Sequence, residues 1–593
     1  MTQGLPHWDM EVVFPGLDSP EFEAACAEVD SLLARLESLF NTYGIATDGG
    51  GDIGVFDELM LAFNELNEKV RTVTAFIRSF TTTNSLDELA SAQNSEMDKQ
   101  LGRLRKLSKS FTAWLGRLNA EELFGRSQLA REHEFAVMKA EIGAQHLMAA
   151  SEESLASDME ITGMFAWTKL HGNVVSRLTA SICLEEGKQD LPMSVVRTLA
   201  SSPKREVREA AFRAELEAWK SVEVPLSAAL NSVKGETLSL GERRGWKDPL
   251  DETLFNCNMD RATLDAMMEA ARESFPDFRR YLSAKARCLG IEKLAFFDLF
   301  APVGESADEW DYDRAKSFVI EQFTAYSEKL GSFAERAFRE NWIDVPPRAG
   351  KSDGAFCMGL RKDESRILLN YEPSFGAVST LAHELGHGYH NLCLNGRTAV
   401  QRTLPMTLAE TASIFCETII RQAVLRDGAP SDQFVVLEAS LQGSCQVVVD
   451  ISSRFLFERA VFRGRRKREL SSREMCEHML DAQQATYGDG LDQEQLHPYM
   501  WAAKSHYYGR SFYNFPYMFG LLFGLGLYSV YEKEPNTFHG RYDDLLSSTG
   551  MADAATLGRR FGIDITQVEF WRGSLDQIRA DICRFEALCP TPV

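Results

Sequence analysis

Apolar residues recur at the spacing of an α-helix along most of this chain of 593 residues. In segment 201–220, SSPKREVREAAFRAELEAWK, one helical face carries Val207, Ala211, Phe212, Leu216 and Trp219. Ser201 or Ser202 can cap this helix, and Pro203 suits its first turn. Similar patterns run through 20–40, 55–80, 86–116, 130–160, 262–288, 311–340 and 432–462. The sequence therefore predicts a mostly α-helical protein.

Strand patterns are confined to the middle of the chain. GAFCMGL (354–360) and RILLNY (366–371) are short and rich in apolar and aromatic residues, and the charged RKDES between them predicts a hairpin loop. The glycines of TDGGGDIG (47–54) predict a loop without phosphate-binding spacing. We expect one small β-sheet among the helices.

The length of the chain favours two or more lobes, because a single hydrophobic core stops growing at about 250–300 residues. We place a boundary near residue 200. Region 1–200 is helical and carries no clustered chemistry, whereas region 201–593 holds the strands, a histidine cluster and an aromatic C-terminal segment.

Charge and cysteine content exclude several classes of protein. The net charge is −22, which argues against nucleic acid as a partner, because a phosphate backbone requires a basic surface. The 11 cysteines include no CxxC pair, so we expect reduced thiols. The N-terminus shows no signal-peptide pattern, and the apolar stretch 518–530 is too short to span a bilayer. These features predict a cytoplasmic protein that is not in a membrane.

Residues 380–390, TLAHELGHGYH, contain the motif HExxH. On a helix, His383 and His387 lie one turn apart on one face, so both imidazoles can bind one ion. Glu384 can then reach a water on the metal without being a ligand itself. The motif alone is only moderately specific. Gly386 and Gly388 weaken a helix, so we expect a close packing partner beside them.

A third ligand is expected downstream, in PMTLAETASIFCE (405–417). Glu410 and Glu417 are seven residues apart and share a helical face. A glutamate on such a helix is normally solvated, but these two lie among apolar residues. Two histidines and a glutamate with an open position form a known catalytic zinc arrangement. We therefore predict one zinc per chain on His383, His387 and Glu410, with Glu417 orienting a histidine; manganese or cobalt remains open.

The C-terminal segment HPYMWAAKSHYYGRSFYNFPYMFG (497–520) is rich in histidine and tyrosine. Such a cluster is more often core than catalytic, but it can supply donors to an oxyanion. We expect His506 and Tyr513 on a loop and Tyr517 in the first turn of the next helix.

HELGH followed by ETAS-x-F-x-E, with GAFC and ILLNY ahead of it, resembles the thimet oligopeptidase and oligoendopeptidase F family of zinc metallopeptidases, and the oligoendopeptidase F branch fits best. The resemblance covers most of the chain, most clearly 200–580. It implies His383, His387 and Glu410 as zinc ligands and Glu384 as the general base. It also implies two helical lobes around a deep substrate channel that excludes folded proteins.

By the same resemblance, His506 and Tyr513 or Tyr517 would stabilise the transition state. The spacing of this segment differs from the thimet oligopeptidase form, which leaves the choice of tyrosine open.

The expected function is zinc-dependent hydrolysis of internal bonds in oligopeptides. The edge of the strand pair, at Gly354, Ala355 and Phe356, could bind substrate as an added strand. A related helical HExxH carboxypeptidase and a peptide-binding protein without turnover are the alternatives. The cleavage preference, the physiological peptides and the oligomeric state stay open.

Overall fold

The computed structural model describes residues 4–45, 52–185, 187–304 and 309–589. Part of the loop predicted at 47–54, residues 47–51, lies outside these ranges.

Helices make up most of the described chain. The first half contains α1 (Pro20–Tyr43), α2 (Phe56–Thr83), α3 (Glu88–Leu115), α4 (Ala120–Arg126), α5 (Gln128–Glu132), α6 (Glu134–Ala144), α7 (Ala150–Thr162), α8 (Met164–Arg177), α9 (Met193–Thr198), α10 (Arg205–Ser221), α11 (Glu223–Arg243), α12 (Pro249–Asn256) and α13 (Arg261–Cys288). The second half contains α14 (Tyr312–Tyr326), α15 (Glu328–Arg339), α16 (Phe375–Cys393), α17 (Met406–Ala409), α18 (Thr411–Asp427), α19 (Pro430–Cys445), α20 (Ile451–Arg465), α21 (Ser472–Tyr487), α22 (Met500–Ala503), α23 (His506–Gly509), α24 (Phe515–Lys533), α25 (Pro535–Ser547), α26 (Ala554–Arg560) and α27 (Val568–Leu588).

The strands form two small sheets. They are β1 (Thr179–Leu184), β2 (Gly187–Pro192), β3 (Ile343–Asp344), β4 (Phe356–Arg361) and β5 (Glu364–Leu368). β1 and β2 form an antiparallel hairpin. The second sheet has the order β3-β5-β4, with β4 antiparallel and β3 parallel to β5. The prediction of a mostly α protein with a small sheet beside the HExxH helix is confirmed, because α16 packs on both β4 and β5.

The chain divides into two compact units, each built from separate stretches of sequence. Unit 1 comprises Met1–Ala150, Glu309–Ala423 and Leu527–Gly562, and unit 2 comprises Ser151–Asp308, Val424–Gly526 and Ile563–Val593. These units are defined by packing, and each combines several stretches of the chain. The domain boundary near residue 200 was drawn along the sequence, so it stays a prediction.

Each unit has its own apolar core. In unit 1, α1, α2 and α3 bury a cluster of aromatic and aliphatic side chains that includes Phe22, Phe76 and Trp114. Met358 and Leu360 of β4 join this cluster, so the N-terminal helices hold the strand in place. In unit 2, α13 packs along α27, and α20 along α21.

The structure corrects three details of the sequence analysis. The hairpin β1–β2 was missed, although residues 179–184 alternate between exposed and buried positions. β4 and β5 extend into RKDES, leaving Lys362 and Asp363 as the turn. Helix α10 begins at Arg205, and its N-cap residue Lys204 makes no side-chain cap, so neither Ser201 nor Ser202 caps it. Ser201 ends a 3₁₀ turn over residues 199–201, and Pro203 precedes the helix instead of lying in its first turn.

One described segment, Pro430–Arg465 of unit 2, is long and apolar enough to cross a membrane by composition alone. Of the most apolar 18-residue window within this segment, 56% is buried inside the protein. A helix in the core of a protein can have the same apolar composition. The burial of this segment fits a core helix.

Candidate active site

Helix α16 presents the two histidines of the HExxH motif. It begins after β5 and is capped by Ser374, whose Oγ accepts a hydrogen bond from the amide of Ala377 at 3.2 Å. One turn apart, the rings of His383 and His387 have centroids separated by 4.9 Å and planes at 82°. Both imidazoles therefore face the same small region of unit 1.

Glu410 reaches this region from the turn between α17 and α18. Its Oε2 atom lies 3.2 Å from His383 Nε2 and 3.4 Å from His387 Nε2. One ligand atom from each of the three residues lies within 4.8 Å of the others. Ser413 Oγ donates to the same carboxylate oxygen at 2.7 Å, which fixes the side chain of Glu410.

The electrostatics of the group favour a cation. Burial alone would raise the pKa of Glu410, but hydrogen bonds from His383 and His387 hold that pKa far below its usual range. Burial alone would lower the pKa of His383, but Glu410 and Glu417 raise it to about 10. The negative charge that favours a proton on His383 would also favour a metal ion in its place.

Glu417 lies on the other side of His383. Its Oε2 atom is 3.2 Å from His383 Nδ1. A proton on Nδ1 would donate to this carboxylate and leave the lone pair of Nε2 directed at the Glu410 side. This is the placement expected for a carboxylate that orients a ligand histidine.

Two glycines of α16 allow close packing around the motif, as the sequence predicts. A Cβ atom on Gly386 would lie 2.6 Å from the Cα of Ser413 and 2.7 Å from the carbonyl oxygen of Ala412. A Cβ atom on Gly388 would lie 2.7 Å from the ring of Phe333. The missing side chain at Gly386 is what lets α18 approach the histidines.

Glu384 is buried beside the three-residue group. Only 5% of the residue is exposed, and its Oε2 atom has no hydrogen-bond partner among the described residues. Burial raises the pKa of this carboxyl, while the nearby histidines and the backbone of Cys357 on β4 lower it. An unpartnered carboxylate oxygen in a buried position is available to a small polar molecule.

His390 is not part of this group. It is buried, and its Nε2 lies 2.8 Å from Thr549 Oγ1, which gives it a structural role.

The segment 354–356 leads into the edge strand of the sheet. Gly354 has a φ of +78°, and its carbonyl accepts a hydrogen bond from Asn370 Nδ2 at 2.9 Å. Phe356 lies beneath the guanidinium of Arg78. Helix α2 covers the later part of β4, since Thr72 Oγ1 donates to the carbonyl of Leu360 at 3.2 Å.

His506, Tyr513 and Tyr517 form a cluster within unit 2. The rings of His506 and Tyr513 stack with centroids 4.7 Å apart, and Tyr517 Oη donates to Tyr513 Oη at 3.2 Å. Tyr513 lies on a loop and Tyr517 in the first turn of α24, as predicted. His506 begins the short helix α23 instead of lying on a loop.

Two polar groups at the site were not predicted from the sequence. Ser413 holds the Glu410 carboxylate, and the backbone of Cys357 approaches Glu384. The spacing of three between Glu410 and Ser413 was a signal for the first contact. Nothing in the sequence indicates the second, because it joins a strand to a helix.

Comparison with known proteins places these features in a family context. A family model described as Peptidase family M3 matches residues 198–576. An oligoendopeptidase F homolog of Lactococcus lactis subsp. lactis is 21% identical, covering 98% of this chain and 97% of the relative. The oligopeptidase PepF of Bacillus subtilis is 22% identical over 72% of this chain and 64% of its own length.

Solved structures share the fold at low identity. A structure from Chlamydophila abortus has a TM-score of 0.83 at 17% identity, covering 98% of both chains. The oligoendopeptidase-F of Enterococcus faecium has a TM-score of 0.71 at 17% identity, covering 96% of this chain and 98% of its own.

Proposed function

This chain belongs to peptidase family M3, and we propose that it is a zinc-dependent endopeptidase that hydrolyses internal bonds of short oligopeptides. The observation that carries the proposal is the meeting of His383, His387 and Glu410 beside the buried carboxylate of Glu384. The names of the curated relatives support action on oligopeptides.

The donor set fits a zinc ion. His383, His387 and Glu410 would hold one ion per chain, because their ligand atoms converge and the site already favours positive charge. When bound, zinc would supply a Lewis acid for the scissile carbonyl and for water.

Glu384 is the proposed general base. Its buried, unpartnered oxygen can accept the proton of the attacking water and return it to the leaving amine. The raised pKa of this carboxyl suits both steps, because the same group must accept and donate near neutral pH.

His506, Tyr513 and Tyr517 are proposed to donate hydrogen bonds to the oxyanion of the tetrahedral intermediate. The ring stack of His506 on Tyr513 and the hydroxyl pair of Tyr513 and Tyr517 place three such donors together.

Substrate is proposed to bind along the start of β4, at Gly354, Ala355 and Phe356. An edge strand offers backbone groups to an extended peptide, and such pairing tolerates many side chains. Broad sequence preference follows from this mode of binding. A cytoplasmic location and the absence of membrane and nucleic-acid partners remain part of the proposal.

The test uses a mixed peptide library read by mass spectrometry, with and without a chelator. The wild-type protein should cut peptides internally and lose activity with the chelator.

Glu384→Gln should abolish hydrolysis while retaining stoichiometric zinc, whereas Glu410→Ala should lose the metal. Stepwise loss of C-terminal residues would favour the carboxypeptidase instead, and binding without cleavage by the zinc-loaded wild type would favour a peptide-binding protein.

The tyrosine assignment has its own test. Tyr517→Phe should lower kcat by about 10²–10³-fold with little change in KM, since one oxyanion donor is lost. Tyr43→Phe, which removes the hydroxyl of a half-buried tyrosine of α1 outside the candidate site, is the control. Unchanged kcat in Tyr517→Phe would leave Tyr513 and His506 as the candidates.

A further inference from the structure

A cavity of about 350 Å³ lies within unit 2 and uses none of the residues proposed for catalysis. Ligand pockets in proteins typically have volumes of about 300–1,000 Å³. From the groups that line it, we propose that this cavity binds a small carboxylate that carries an aromatic or apolar body.

Aromatic and aliphatic side chains form most of the wall. Among them are Phe212, Tyr281, Leu282, Phe296, Phe297 and Phe300. Phe212 and Phe297 contact each other with centroids 5.3 Å apart, so these two rings form one apolar surface. This wall would bury the apolar body of a ligand, and binding would become more favourable in proportion to the apolar area removed from water.

The three arginines of the wall already have acidic partners. Arg208 Nη2 lies 2.9 Å from Asp298 Oδ1, and Arg454 is bonded to Asp450. Arg197 Nε lies 3.6 Å from Glu215 Oε1. His497 Nε2 faces the same glutamate oxygen at 3.4 Å. These contacts account for the acids that line the cavity.

Lys504 is the cation that remains. Its ammonium group makes no hydrogen bond or close ion pair with any described residue, although its side chain lines the cavity and is partly buried. Burial and the nearby Arg454 and Arg197 lower the pKa of Lys504 to about 8, although Asp450 and Glu215 partly oppose this change. The Nε atom of Arg454 is buried and has no hydrogen-bond partner among the described residues either.

The backbone at this wall is also irregular. Residues Gln446–Asp450 form a π-helical segment between α19 and α20, and both Gln446 and Asp450 line the cavity. Such segments occur frequently at functional sites. Here Gln446 and Asp450, at the two ends of the segment, line the same cavity as Lys504.

One unpaired ammonium beside an aromatic wall matches a single negative charge on an apolar body. A phosphate would need more donors than one ammonium and one guanidinium nitrogen. The carboxylate could belong to a free aryl or alkyl acid or to the C-terminus of a short peptide, since both present the same group.

Isothermal titration of the full-length protein at pH 7, where Lys504 is protonated, provides the test. Phenylacetate should bind at least about tenfold more tightly than acetate, chloride or phenylacetamide. Lys504→Met should weaken phenylacetate binding by at least about tenfold, because the ammonium is removed but the stem is kept. Lys467→Met, an exposed lysine of unit 2 outside the cavity, is the matched control.

A second variant tests the cavity without changing Lys504, in case Lys504→Met fails to fold. Ala200→Trp, at a partly exposed position of the wall, should block binding while leaving Lys504 in place. Equal affinity of wild type, Lys504→Met and Ala200→Trp would overturn the proposal, as would equal affinity for phenylacetate and acetate.

N-acetylphenylalanine and the dipeptide Gly-Phe, titrated into the Glu384→Gln variant, separate the two sources of the carboxylate. Tighter binding of either than of phenylacetate would assign the site to peptide C-termini, and weaker binding would assign it to free acids. These titrations measure no hydrolysis, so the outcome is independent of the proposed peptidase activity.

Discussion

At the scale of single residues, the candidate active site depends on how each ionisable group is partnered. His383 has a carboxylate on each of its ring nitrogens, whereas Glu384, its neighbour in sequence, has a buried oxygen with no partner in the described part of the chain. The first arrangement suits a metal ligand, because one nitrogen is held while the other faces the ion. The second suits a base, because its proton acceptor is unused.

Glu417→Gln should weaken zinc binding by about 10–100-fold, because the carboxylate that holds His383 Nδ1 is lost. Competition with a chromophoric chelator measures the affinity. Glu372→Gln, an exposed change ahead of α16, should leave it unaltered. An unchanged zinc affinity in Glu417→Gln would remove the orienting role.

At the scale of elements, the site is the meeting of α16 with the turn before α18 and with the edge strand β4. The closest approach is at Gly386, in the middle of the HExxH motif, where the backbone of α18 occupies the space of a side chain. A glycine inside a helix costs about 1 kcal/mol relative to alanine. This cost in stability is offset because the glycine lets α18 approach α16 closely enough to place Glu410 beside the histidines.

Gly386→Ala should lower both stability and zinc affinity. The new Cβ atom would lie 2.6 Å from the Cα of Ser413, and such overpacking typically costs about 1–3 kcal/mol. Gly376→Ala, in the first turn of the same helix, meets no atom closer than 3.8 Å and should be neutral or slightly stabilising. Thermal unfolding and bound zinc measure the two effects; equal behaviour of both variants would contradict the packing argument.

At the scale of the whole molecule, each unit joins stretches that are far apart in sequence. In unit 1, Asp344 of β3 has a side chain that is 2% exposed and bonds Arg348, Lys351 and His7, the last from 337 residues away. Lys351 is itself fully buried at its side chain. This group of charges, centred on the buried Asp344 and Lys351, joins the N-terminal segment to the sheet through the more exposed His7.

Asp344→Asn should destabilise the protein by roughly 3–5 kcal/mol at neutral pH, because Lys351 and Arg348 lose their buried partner. Burial alone would raise the pKa of Asp344, but Arg348, Lys351 and His7 lower it. A lowered carboxyl pKa contributes stability that is complete above about pH 4, the unfolded value, and is lost as the pH falls through the folded value.

The difference in unfolding free energy between wild type and Asp344→Asn should therefore be constant from pH 7 to about pH 5 and shrink below about pH 4. Urea unfolding at several pH values measures it. Asp353→Asn, an exposed change nearby, should show no such gap. If this free-energy difference were the same at every pH, the stabilisation would not come from the charge of Asp344.

Much of the protein could be predicted from its sequence because the relevant signals are local. Helical periodicity predicted the fold class, and the spacing of His383 and His387 placed both on one face of α16. The resemblance to the oligoendopeptidase F family, carried by HELGH and ETAS-x-F-x-E, is confirmed by the family match and the curated relatives.

Tertiary structure decided what depends on distant parts of the chain. The interleaved units, the contact of Cys357 with Glu384 and the cavity around Lys504 each join residues whose separation in sequence carries no periodic signal. Sequence alone determined which side chains could bind a metal and move a proton, because residue type and helical spacing are local properties. The burial that shifts their pKa values is set only when the packed helices and strands remove water from them.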